Sequence, residues 1–244
     1  MGEHAQEHVH VPAERRRAFD RLVNFTDAVV AIALTLQLLP LTQIKGPQGD
    51  ETVWQVIVAN WGQIFAFLLS FIIVVVMWTV HNRVFNVMRM YDGTILWLNI
   101  GWMLAIAFLP WPTTMYGTAG STTALGTGGV GLLYWLNLAL ISGLGSLIGY
   151  HAARHPELLE PGAARRGWLA HSKKARLRGI VITVYFVVIG CLSEFIPEYA
   201  GWIALGLLPL GRLLRDSPAP ADVAEPADSP PAAHVAADDG QSAT

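Results

Sequence analysis

The sequence predicts an all-α membrane protein with six transmembrane helices, and three observations carry that reading. Of 244 residues, 53% are hydrophobic and only 14% charged, against roughly 25% charged in an ordinary soluble domain. The charges are segregated: none falls between Gly93 and Ala153, and only Lys45, Asp50 and Glu51 fall between Ala28 and Asn82. Long apolar runs separated by short polar turns are the pattern of bilayer-spanning helices. A water-soluble enzyme is excluded, because those runs leave it no polar surface. Cys191 is the single cysteine, so neither an intramolecular disulfide nor a cysteine-based metal site can form.

In chain order the spans fall at about 22–41, 60–82, 93–115, 129–150, 179–197 and 200–214, each judged against the roughly 20 residues that a helix needs to cross. The last is short and follows a tight turn at Pro197 and Glu198, so the final pair is either two spans or one re-entrant hairpin. Basic residues set the orientation. With the N-terminus inside, 15 of the 16 lysines and arginines lie on the cytoplasmic side and Lys45 alone lies outside. That bias fits six spans in the cell membrane with both termini cytoplasmic, and an odd number of spans would spoil it.

The domain organisation follows: a polar cytoplasmic N-terminus (1–19), a six-helix transmembrane domain (20–215) and an acidic tail (216–244). The N-terminus lacks the short apolar core and cleavage site of a signal peptide, so the first helix is expected in the mature protein. His4, His8 and His10 read as part of a mobile polar tail rather than as a metal site. Residues 216–244 are Ala, Pro, Asp and Ser with six acids and neither Lys nor Arg, a composition expected to be disordered.

Several motifs are decoys. Gly117 to Gly131 is glycine- and threonine-rich, yet it lacks the Gly-Lys-Ser/Thr ending of a phosphate-binding loop. Thr127-Gly128-Gly129-Val130-Gly131 has neither the order nor the tyrosine of a carbonyl-lined ion filter, and an outside loop is the plain reading. Gly145 and Gly149 form a small-xxx-small pair that marks close helix packing. No His-Glu-x-x-His, no paired intramembrane carboxylates and no facing Ser-Lys pair is readable, so no catalytic residue is assigned. The basic run Arg165 to Arg178 is a topology signal that also meets anionic lipid, not a nucleic-acid patch.

The first helix is the informative one. Asp27 lies about a turn and a half into the span, where an ionisable group is costly and usually paired. Arg21 is six residues away, roughly 120° around the helix, so it does not pair easily with Asp27. The second helix ends Trp78-Thr79-Val80-His81-Asn82-Arg83 at the same depth, which makes His81 or Arg83 the expected partner. Further out, at roughly 100° per residue, Ile32, Thr35, Leu36 and Leu39 fall on one stripe about 100° wide, with Gln37 on the far side. Spacing alone leaves that stripe open between ordinary packing and a pore lining.

Arg21-x-x-x-Phe25-Thr26-Asp27 resembles the Arg-x-x-x-Phe-Ser-Asp signature of the transmembrane protein 175 family of potassium channels. Trp78-x-x-His81-Asn82-x-x-Phe85 resembles that family's Trp-x-x-His-His-x-x-Phe. Leu98-Asn99, followed by Phe108-Leu109-Pro110-Trp111-Pro112-Thr113, resembles its third-helix pattern. The likeness covers about residues 17–117, with Thr26 in place of Ser and Asn82 in place of the second His. It implies a homotetramer of single six-helix units whose first helices line a central pore without a carbonyl-lined filter. Ile32 becomes the narrow constriction and Leu36 and Leu39 further apolar rings. Thr35 becomes a hydroxyl ring bearing on selectivity, with K⁺ passing transiently beside it. Arg21, Phe25, Thr26, Asp27, Trp78 and His81 become the motif and network that hold the helices together. K⁺ is the permeant ion, no cofactor or resident metal is needed, and the partners are other copies of the chain and membrane lipid. The rival is a secondary transporter, perhaps proton-coupled, in which Asp27 and His81 carry protons. Against it stand a lone intramembrane acid and the lack of a visible inverted repeat.

Overall fold

The computed structural model describes residues 13–119, 129–161, 168–195, 203 and 206. Among them every regular element is a helix: α1 (Ala13–Leu36), α2 (Leu39–Thr42), α3 (Val53–Ala59), α4 (Trp61–Phe85), α5 (Gly93–Phe108), α6 (Pro110–Ala119), α7 (Val130–Arg154) and α8 (Trp168–Ser193), with a single 3₁₀ turn at Pro156–Leu158. Four stretches are long and apolar enough to cross a membrane: Ala13–Thr42, Trp61–Phe85, Gly93–Ala119 and Val130–Arg154. They coincide with the first four expected spans. The fifth, expected at 179–197, overlaps the apolar part of α8 at Leu177–Ser193. The sixth, at 200–214, lies outside the described residues apart from 203 and 206, as do the N-terminal histidines, the residues at 120–128 and the acidic tail.

Helix ends depart from the expected span ends for a physical reason. Composition marks where apolar residues stop, not where helical hydrogen bonding stops. Thus α1 begins at Ala13 and α8 at Trp168, because arginine and lysine are good helix formers that carry a helix beyond the bilayer edge. Prolines interrupt two of the spans. Pro40 offers no N–H to the carbonyl of Leu36, and α1 gives way there to the short α2; Pro110 likewise separates α5 from α6.

The loop after the first span also holds a helix that hydropathy alone did not signal. Thr52 caps α3 by accepting from the Gln55 N–H (3.3 Å), while its own N–H donates to Gln55 Oε1 at 2.7 Å. This reciprocal pair satisfies two otherwise unpaired donors.

The bundle is held by large buried side chains. Trp102, Trp135, Tyr134, Phe85, Ile95, Ile106 and Leu109 are all essentially inaccessible. Here α7 lies along α5 and α8, while α6 packs on α4. The α4–α6 crossing is close enough to require glycine. A Cβ on Gly62 would lie 2.6 Å from the Gly117 carbonyl oxygen, and one on Gly117 would lie 2.8 Å from Gln63 Cα. Gly145 and Gly149, by contrast, meet only the side chains of Trp102 and Val84, at an ordinary van der Waals 3.5 and 3.6 Å from an added Cβ, so the close approach expected from their spacing does not require glycine there.

The loop after α4 and the one after α7 are pinned to each other. The Arg89 N–H donates to the Leu158 carbonyl and the Glu160 N–H to the Val87 carbonyl, both at 2.9 Å. Asp92 caps α5 by accepting from the Ile95 N–H at 2.8 Å, and its second oxygen meets His151 Nε2 of α7 at 2.7 Å. Partial burial alone would raise the Asp92 pKa, but the Ile95 N–H and the His151 ring outweigh it and hold the carboxyl below its usual value.

Candidate functional site

The site is built on α1, whose two halves have different surroundings. In the N-terminal half, the inner half by the expected orientation, Thr26 is buried and its hydroxyl donates to the Leu22 carbonyl at 2.8 Å. The same oxygen accepts from Asn99 Nδ2 of α5 at 2.8 Å, and Asn99 Oδ1 meets His81 Nε2 of α4 at 2.9 Å. One continuous chain of hydrogen bonds therefore joins three spans. With Asn99 Oδ1 as acceptor, the His81 proton resides on Nε2. The imidazole is clamped between rings, stacked on Phe85 at 4.3 Å and on Trp102 at 4.1 Å between centroids. Phe85 in turn stacks on Phe19 of α1 at 5.8 Å.

Asp27 is bound by Trp78, whose indole Nε1–H donates to Oδ1 at 2.8 Å. The expected partners, His81 and Arg83, do not make that bond. His81 lies one turn from Trp78 on the same face of α4, but its ring is turned to Asn99. Arg83 and Arg21 are exposed, so neither guanidinium is drawn into the buried cluster, and Phe25 is also exposed. The residues that the structure brings together are thus Thr26, Asp27, Trp78 and His81, with Asn99 at the centre. Sequence reading quoted Asn99 within a motif but gave it no role. The available signal was an amide in a stretch without a single charge, where a polar group must find a partner.

The outer half of α1 makes the opposite pattern. Ile32 is 59% exposed, Leu36 42% and Leu39 53%. Thr35 is exposed on the same lane, its hydroxyl donating back to the Ile32 carbonyl at 2.7 Å. Val30 and Ala33, on the other side, are buried in the core. Gln37 faces inward as its helical angle indicated, and it is almost fully buried. Among the described residues, a row of branched apolar side chains is therefore left largely uncovered, with one hydroxyl among them and no charge.

Two further polar sets lie away from that lane. Ser70 Oγ bonds Tyr134 Oη at 2.8 Å and Thr113 Oγ1 at 3.1 Å, tying α4, α6 and α7 together. Glu194, just past α8, accepts from the Gly129 and Leu132 N–H groups at the start of α7, at 3.2 and 3.3 Å. Gly129 and Val130 are consequently a capped helix start rather than part of an ion filter. No group of three His, Cys, Asp or Glu suited to a metal occurs among the described residues.

Residues 21–110 match the family model described as the endosomal/lysosomal potassium channel TMEM175, a segment that holds nearly all of the three motifs. A potassium channel of Streptomyces collinus is 35% identical over 97 residues, covering 39% of this chain and 46% of that one. A potassium channel of a Chryseobacterium species is 27% identical over 195 residues, covering 80% of this chain and 90% of that one. The human endosomal/lysosomal proton channel TMEM175 is 30% identical over 165 residues, covering 66% of this chain and 31% of that one. The chain thus spans less than half the length of the Streptomyces and human relatives.

Among solved structures, a lysosomal potassium-selective channel TMEM175 homologue from Chamaesiphon minutus shares the fold. It has a TM-score of 0.62 at 23% identity, over 81% of this chain and 96% of that one. By all three comparisons the chain is similar to TMEM175 channels, and these relatives are named as ion channels rather than enzymes.

Proposed function

We propose that four copies of this chain form a potassium-permeable channel in the cell membrane, with the outer halves of their first helices around the axis. The observation that carries the proposal is the exposed lane Ile32–Thr35–Leu36–Leu39, which runs from α1 onto the first residue of α2. The names of the relatives support it. A single helix presents one stripe and cannot enclose a path, so closure requires copies related by a rotation axis. The transmembrane unit is residues 20–215, crossing six times with both termini in the cytoplasm, in line with the 15-to-1 bias of basic residues.

Four Ile32 side chains offer a permeating ion no oxygen, so wetting of that ring limits conduction, with Leu36 and Leu39 as further apolar rings. Thr35 supplies the hydroxyl on the lane. Its proton is committed to the Ile32 carbonyl, but its lone pairs remain free to face a cation or that cation's water. Discrimination by one such partial shell is modest, worth about 1–2 kcal/mol or roughly tenfold between ions. The hydrogen-bonded set Thr26, Asp27, Trp78, His81 and Asn99 fixes the inner half of α1 so that the outer half keeps its lane.

Purified chain reconstituted in a planar bilayer tests the reading. Discrete current steps with K⁺ favoured over Na⁺ are expected. Slow flux coupled to a proton gradient, without steps, would replace the channel with a transporter. Because the human relative is named a proton channel, the reversal potential is also measured under a pH gradient. K⁺ permeation predicts that it follows the K⁺ gradient.

A further inference from the structure

Gln37 lies one residue past the exposed Leu36 and faces into its own chain. Its side chain is 1% exposed, and neither Oε1 nor Nε2 has a hydrogen-bond partner among the described residues. A carboxamide so placed offers two donors and two acceptor lone pairs, and leaving them unmade is costly. Beside it is a cavity of about 10 Å³ whose lining includes Gln37, Pro40, Leu41, Gln63, Phe67 and Thr114. That volume corresponds to about one water molecule, and a buried water needs two to four polar partners. Gln37 supplies a donor and an acceptor. The Thr114 hydroxyl, whose proton goes to the Pro110 carbonyl at 2.9 Å, keeps lone pairs with which to accept.

The location gives such a water a task. Pro40 ends the regular ladder of α1, and the Leu38 N–H already bonds to Thr35 three residues back, at 3.1 Å. The turn that carries Leu38 and Leu39 is therefore tied to the rest of α1 by fewer helical hydrogen bonds. Something other than the helix must hold it against α4 and α6.

We infer that Gln37 and its cavity form a binding site for a single water, and that this water braces the outer turn of α1 against the second and third spans. Gln37 is then a positioning residue that fixes where Leu39 stands. The water site stands on burial and cavity alone. Only its consequence for Leu39 rests on the proposed pore.

Two measurements on the full-length assembled chain test this. The first is a structure at a resolution that shows solvent. One solvent peak within hydrogen-bonding distance of both Gln37 amide atoms is expected in wild type, and none in Gln37→Leu. A wild-type side chain paired directly to Gln63 or Thr114, with no solvent between, would overturn the site.

The second uses a Cys191→Ser background carrying Leu39→Cys, treated from outside with a charged thiol reagent. Adding Gln37→Leu should change the modification rate by about threefold or more, as the unbraced turn redistributes, while Gln37→Asn, which keeps an amide, should restore part of it. An unchanged rate with Gln37→Leu in a properly assembled protein would overturn the bracing role. If Leu39→Cys is modified without any effect on current, the pore reading fails and the water site is left standing on the first measurement.

Discussion

The two halves of the first helix carry side chains of similar size yet are treated differently by the fold. The inner half is tied to its neighbours along one face, Thr26 to Asn99, Asn99 to His81, Asp27 to Trp78 and Phe19 to Phe85, while Arg21 and Phe25 stay exposed on the other. The outer half leaves Ile32, Leu36 and Leu39 bare and ends in a proline break. In the proposed channel the difference separates two tasks of one helix. Hydrogen bonds between buried polar groups need defined geometry, so they anchor the inner half to α4 and α5. Branched apolar side chains that the described residues cover only in part are, in the proposed channel, the ones that meet the same residues of other copies.

Substitutions that break the anchored half should cost the most. Asn99→Leu removes the acceptor of a buried imidazole N–H and the donor to Thr26. A loss of about 1–3 kcal/mol is expected, read as a lower thermal unfolding temperature of the purified chain in detergent. If Asn99→Leu proves as stable as wild type, the inner half is not the anchor.

Trp78→Phe keeps an aromatic ring but removes the bond to Asp27. Asp27 is only partly buried and can regain water, so a smaller loss is expected, about 1 kcal/mol. Asp27→Asn, which keeps an acceptor for the indole, should fall between Trp78→Phe and wild type in the same unfolding assay. A larger loss for Asp27→Asn than for Trp78→Phe would mean that the carboxylate charge matters more than this bond.

A third test compares these anchors with the tie at Asp92 between α5 and α7. Its carboxyl is held below the usual value in the fold, so its stabilisation is present above the ordinary carboxylate pKa of about 3.9. That stabilisation is lost as pH falls through the lower, folded value. Unfolding temperature should therefore step down at strongly acidic pH, and Asp92→Asn should flatten that step while leaving the inner cluster intact. An identical pH profile in Asp92→Asn would assign the step to other carboxylates. Thr26→Ser should have the smallest effect, a few tenths of a kcal/mol, since the hydroxyl that bonds Leu22 and Asn99 is retained.

Much of this contrast was readable in the sequence, and the reasons are specific. Runs without charge located four spans, and helical angle alone put Ile32, Thr35, Leu36 and Leu39 together and Gln37 opposite them. Periodicity reports which face a residue occupies, not which partner it finds. Hence Asp27 was matched to His81 or Arg83 by depth and charge, while the fold bonds it to Trp78 one turn further out. A tryptophan N–H is a neutral donor that charge patterning does not register. The place of Asn99 at the centre of the cluster depends on how α5 packs, which no local pattern encodes. The start of α8 at Trp168 was hidden for the reason given above: a basic helix and a basic loop have the same composition.

The central claim is that the bare lane of α1 lines the ion path, and Ile32 tests it most directly. Unitary K⁺ current is measured for wild type and Ile32→Asn in the same bilayer, after confirming that both have the same oligomeric mass. Four amides in place of four apolar side chains should admit water to the constriction, so a larger unitary current with weaker discrimination between K⁺ and Na⁺ is expected. An unchanged or smaller current from the intact oligomer would contradict the account and place the constriction elsewhere.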